Sequence, residues 1–120
     1  AYEPLPGMKV KGAFTLGENI GDLAGVTVAY DAYRHSLGGG EAPVIDGTTG
    51  DQRFYLGWAQ VWRRNYREAA LRQRLLTDPH SPSEQRANIV RNMDPWYTAF
   101  QPKPGQALHL APEQRVRVWY

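Results

Sequence analysis

Helix-start signals punctuate this chain and fix its structural class. Thr15-Leu16-Gly17-Glu18 and Thr49-Gly50-Asp51-Gln52 carry the Thr-x-x-Glu/Gln pattern of a capping box. In that pattern the first side chain accepts from a backbone N–H and the last reaches back to another. Ser81-Pro82-Ser83-Glu84 combines a cap, a proline at the first helical position and a closing acid. Asp94-Pro95 repeats the cap-then-proline signature. The chain is therefore expected to be mainly α, with about four helices and short extended termini.

The first helix is expected from Thr15 to about Leu37, with Ile20, Leu23, Ala24, Thr27, Val28 and Tyr30 along its apolar stripe. Gly38-Gly39-Gly40 ends it, because glycine takes the left-handed conformation without steric cost. The second helix carries Phe54, Trp58, Val61 and Trp62 at helical spacing. Glu68 to about Leu76 is rich in good helix formers. Asp78-Pro79-His80-Ser81-Pro82 breaks that helix, and the next is expected from the Ser81 cap to about Asn92. Residues 1–13, with Pro4, Pro6, Gly7 and Gly12, should be extended, and Arg115 to Tyr120 a short strand or an extended tail.

Glu18 and Asp22 are four residues apart and share one helical face. One such carboxylate can bind a metal while the other braces a neighbouring ligand. The structural alternative is that Glu18 closes the Thr15 capping box and Asp22 favours the positive helix end. The two roles of Glu18 compete, since a side chain bonded back to the Thr15 backbone cannot point at a metal. His80, beside a helix start, suits the stabilisation of an anion, or is a solvated loop histidine. Arg86 lies on the helix that follows and is a surface arginine by default. Trp58 is expected in the core, with Val61 and Trp62 shared between core and a pocket wall. His35 and His109 carry no context.

Composition excludes several classes. At 42% hydrophobic and 22% charged, the chain can fill one modest core. A net charge of +2 does not call for nucleic acid. The arginines at 63, 64, 67, 72 and 74 are interrupted by Glu68 and read as a solvated face, so no nucleic-acid partner is expected. Cysteine is absent, which rules out disulfides and thiolate metal sites within the chain.

GENIGDLAGVTVAYDAY, DQRFYLGWAQVW, DPHSPSEQRANIVRNM and RVRVW stand in that order. Together they resemble the C-terminal part of the neprilysin-like zinc metallopeptidases, the family of neprilysin and the endothelin-converting enzymes. The resemblance covers nearly the whole chain and implies a partial thermolysin-like catalytic lobe, with residues 1–120 as one C-terminal portion of a larger catalytic domain. It implies one zinc ion, peptide substrates with a large apolar P1′ residue, and an extracytoplasmic parent. Glu18 matches the third zinc ligand and Asp22 the aspartate that orients a zinc-binding histidine. His80 matches the oxyanion donor, Arg86 the arginine on the substrate backbone carbonyl, and Val61 and Trp62 the S1′ pocket.

The His-Glu-x-x-His that supplies the family's other ligands and its general base does not occur in these 120 residues. An isolated chain is accordingly expected to be inactive, and to pair with the remainder of the catalytic domain or with a second copy of itself. Lack of cysteine near the matched blocks resembles the bacterial branch. Gly21 replaces the family's usual alanine, at a cost to the helix of about 1 kcal/mol. The competing reading is a non-catalytic helical interaction module.

Overall fold

Where each helix begins decides which face it buries. The computed structural model describes residues 2–119, so Tyr120 of the expected tail lies outside the described residues. The α-helices are α1 (Gly12–Ser36), α2 (Gly50–Val61), α3 (Glu68–Thr77), α4 (Ser83–Ala87) and α5 (Asp94–Phe100). Short 3₁₀ turns span Asn88–Asn92 and Pro112–Gln114. Among the described residues no strand forms. Only the isolated bridges Leu5–Met8 and Ile45–Thr48 occur, and the tail from Arg115 to Trp119 forms neither helix nor strand, with a bend at Val118. The mainly α class is as expected.

The start of α1 differs from the expectation. Its N-cap is Lys11, whose side chain caps nothing, and Thr15 lies a full turn inside. The Thr15 hydroxyl is buried and donates back to the Lys11 carbonyl at 3.3 Å, and the Asn19 amide donates to it at 3.2 Å. Thr15 therefore cannot cap, and Glu18 is released from the capping box. Glu18 and Asp22 also lie beyond the first turn, which contains no acid. The Thr49 box of α2 forms as expected: Gln52 N–H donates to Thr49 Oγ1 at 3.1 Å and Thr49 N–H to Gln52 Oε1 at 3.0 Å.

Ser81 is not a cap either. The N-cap of α4 is Pro82, and the Ser81 hydroxyl instead donates to Asn19 Oδ1 at 2.8 Å, tying α4 to α1. The Tyr66 hydroxyl accepts from Ser83 N–H at 3.2 Å and serves that helix end in its place. Asp94 is likewise the first residue of α5 rather than its cap.

The core gathers Leu23, Val26 and Tyr30 of α1, Tyr55 of α2, Ile89 and Val90 of the Asn88–Asn92 turn, Met93 just after it, and Trp96 of α5. Burial of such side chains stabilises by about 1.5–3 kcal/mol each. Ile20 and Val28, expected on the buried stripe, are 43% and 55% exposed. Tyr55, not the Phe54–Trp58 face, is the α2 residue at the centre, while Phe54 and Trp58 pack half-buried at the core's edge. Tyr30 stacks on Tyr55 with ring centroids 5.5 Å apart and donates to Asp51 at 2.9 Å. Burial and that bond push the Tyr30 hydroxyl up to about 12. Gly50 lets α2 start against α1: a Cβ there would lie on the Tyr33 hydroxyl and 2.6 Å from the Ala42 Cβ.

The C-terminal segment is clasped onto α5. Arg115 lies over the Tyr97 ring, 3.5 Å from its centroid. Its Nε and Nη2 donate to the Leu110 carbonyl at 3.1 Å, and its Nη1 to Asp94 at 2.8 Å. Arg117 joins the same carboxylate at 2.8 Å.

Candidate active site

One face brings together side chains from α1, the α3–α4 loop, α4 and the end of α2. The helical rise places Glu18 and Asp22 one turn apart on α1, and they have different surroundings. The Asp22 side chain is 10% exposed and accepts from Arg86 Nε and Nη2, each at 2.7 Å. This side-on bidentate pair is the strongest ion-pair geometry available to arginine. The Arg86 guanidinium carbon also lies over the Trp62 ring, 4.1 Å from its centroid. Arg86 Nη1 donates to no acceptor among the described residues.

The Glu18 side chain is 50% exposed, and its Oε2 lies 3.2 Å from His80 Nε2. The other ring nitrogen, Nδ1, is 2.8 Å from Asp78 Oδ1. Asp78 accepts from the His80 backbone N–H as well, at 2.9 Å, closing a local turn that fixes the ring. That backbone N–H holds the Asp78 carboxyl below the ordinary carboxylate range. Both ring nitrogens face carboxylate oxygens. A helix of five residues adds little dipole; His80 is oriented by Asp78 rather than by the start of α4.

Val61 is 63% exposed and lines an open groove of about 360 Å³ with Asp22, Phe54 and Trp58. The groove floor is made of small residues, Gly21, Gly25 and Ala29 of α1 and Gly57 of α2. Among the described residues, no group of three or more His, Asp or Glu side chains is placed to hold a metal.

The site residues expected from sequence thus converge, with Val61 and Trp62 at its rim. Asp78 was missed. Its signal was present, since an aspartate before X-His is poised to accept the backbone N–H two residues on.

The model of peptidase family M13 matches residues 1–116. The chain belongs to this family. It is 37% identical over 118 residues to Neprilysin-1 of Caenorhabditis elegans, which covers 93% of the chain and 15% of that protein. Endothelin-converting enzyme 1 of Cavia porcellus is 38% identical over 117 residues, covering 94% of the chain and 15% of that protein. Membrane metallo-endopeptidase-like 1 of Mus musculus is 37% identical over 123 residues, covering 99% of the chain and 16% of that protein. The M13 chain thus spans less than a fifth of these relatives.

Among solved structures, the zinc metalloprotease Zmp1 of Mycobacterium tuberculosis in its open state superposes with a TM-score of 0.95 at 53% identity, covering 100% of the chain and 20% of Zmp1. Its inhibitor complex gives the same TM-score and identity, covering 19% of that protein. The expected likeness to a bacterial neprilysin-like peptidase is therefore met. No helix of the described residues is long and apolar enough to cross a membrane.

Proposed function

We propose that residues 1–120 form the C-terminal portion of the catalytic domain of a zinc-dependent metalloendopeptidase that accepts a large apolar P1′ residue. One observation carries the reading: Glu18 and His80, distant in sequence, meet at 3.2 Å in a chain of family M13.

The donor chemistry fits zinc as one ligand of several. Glu18 is half exposed and faces only the His80 Nε2, which leaves lone pairs open to a cation, whereas both Asp22 oxygens already accept from Arg86. Glu18 would hold the ion together with histidines outside these residues, and when bound zinc supplies carbonyl polarisation and an acidified water. Asp22 has lone pairs left with which to receive the N–H of a ligating histidine.

His80 donates from Nε2 to the developing oxyanion, with Asp78 holding the ring. Arg86 binds the substrate backbone carbonyl through Nη1. Val61 and Trp62 wall the P1′ pocket. The partners are peptide substrates and the remainder of the catalytic domain. Phe14, Leu16, Ile20 and Val28 stand exposed on α1. Exposed apolar side chains such as these are covered where a helix packs inside a larger core. In isolation, a second copy covers these faces. An extracytoplasmic place for the parent is in line with the relative whose name puts it at a membrane.

Metal content and turnover of the full-length enzyme test this reading. Glu18→Gln should strip zinc, whereas Asp22→Asn should lower affinity or activity by roughly 10–100-fold. Equal and negligible effects of both changes overturn the proposal. The isolated chain should not cleave a fluorogenic peptide in the presence of zinc, and chelator-sensitive turnover by it would show that the missing ligands are not needed.

A further inference from the structure

We infer that Trp62 positions Arg86 for substrate, so that the wall of the P1′ pocket and the clamp on the substrate backbone move as one unit. The inference rests on the role proposed for Arg86. Trp58 and Trp62 lie one turn apart at the end of α2, and their rings meet edge to face at 5.3 Å and 68°. The Trp62 ring in turn meets the Arg86 guanidinium at 4.1 Å. Asp22 holds the same guanidinium from α1, through Nε and Nη2. One arginine thus joins α2, α4 and α1.

The two contacts restrain different motions. A bidentate carboxylate fixes one edge of the guanidinium, but the plane can still swing about the line joining the two charges. An indole against its face stops that swing. Nη1 is left with a defined direction and no acceptor among the described residues. The Arg86 side chain is 19% exposed and that of Asp22 10%, so the stack works where water competes least and cation–π attraction is greatest. The Trp62 N–H is buried with no acceptor among the described residues, so packing rather than hydrogen bonding holds the ring. Trp62 is therefore a positioning residue as well as a pocket wall. Its loss should weaken the backbone clamp for every substrate, whatever the P1′ side chain.

The test uses the full-length zinc-loaded enzyme and a pair of fluorogenic peptides that differ only in leucine or alanine at P1′. Trp62→Leu keeps an apolar wall and removes the π face. It should raise KM and lower kcat/KM roughly tenfold on both peptides, with kcat changed less. Trp62→Phe should recover most of the loss. In an Arg86→Ala background, Trp62→Leu should add little.

A loss confined to the leucine peptide, or one of equal size with and without Arg86, overturns the inference and leaves Trp62 a pocket wall only. If Arg86→Ala itself leaves KM and kcat/KM unchanged, the role of Arg86 fails and this inference falls with it. Circular dichroism and zinc content screen each variant. Should Trp62→Leu not fold, Trp62→Met makes the same comparison.

Discussion

Arg86 and Arg115 are held in the same way, yet only one of them is used up by its own chain. Each lies against an aromatic face, at 4.1 Å from the Trp62 centroid and 3.5 Å from that of Tyr97. Each pairs with an aspartate, Asp22 at 2.7 Å and Asp94 at 2.8 Å. Arg115 also donates from Nε and Nη2 to the Leu110 carbonyl, so all of its nitrogens have acceptors. Arg86 commits Nε and Nη2 to a single carboxylate and keeps Nη1. The same chemistry can close a fold or hold a donor ready, and the difference lies in the donor left over.

Substitution of the two arginines should separate these uses. If Arg86 binds the substrate carbonyl as proposed, Arg86→Ala in the full-length enzyme is expected to lower kcat/KM roughly 10–100-fold, with KM raised, because a charge-assisted hydrogen bond is worth about 1.5–3 kcal/mol. Arg115→Ala should instead lower stability by about 2 kcal/mol, read as a shifted denaturant midpoint. Its kcat/KM per folded molecule should stay unchanged. Equal losses of activity from both variants would erase the distinction.

A smaller effect distinguishes the two regions by pH. The Asp78 carboxyl is held below its ordinary 3.8 by the His80 backbone N–H. A depressed carboxyl contributes stability above its unfolded value and loses it as pH falls through the folded one. The gap between the thermal midpoints of the native protein and Asp78→Asn should therefore narrow as the pH falls below about 4. A gap that is constant over that range would mean that the carboxylate charge does not hold the turn.

Local signals were legible where local chemistry decides. The Thr49 box forms as written, because both of its bonds lie within one turn. The same pattern at Thr15 fails for a tertiary reason. Thr15, itself buried, is drawn into a polar line that runs from the Lys11 carbonyl through Thr15 and Asn19 to the buried Ser81. That line also removes Ser81 from capping duty, so one arrangement explains two of the three misread helix starts; Asp94, the first residue of α5, stands apart from it. The side chains of the site were legible through their resemblance to a family. Their pairing was not, because neither Asp22 with Arg86 nor Glu18 with His80 is a neighbour in sequence. Tyr55 was overlooked because the Phe54–Trp62 periodicity describes a face that this chain covers only in part.

The missing side chain at Gly50 reaches further than its own turn. From there α2 runs as a rod of about 18 Å, at 1.5 Å per residue, to the end that carries Trp62. Any substituent at position 50 must displace both the Tyr33 hydroxyl and Ala42, or move the start of that rod away from them. A lesion beside Tyr33 would then be felt at Arg86, at the opposite end of the helix. In a library of variants selected for turnover, position 50 should tolerate glycine alone, and its rare suppressors should fall at Tyr33 and Ala42. The variants that survive would thus mark out a line of mechanical descent from a crowded hydroxyl to Arg86.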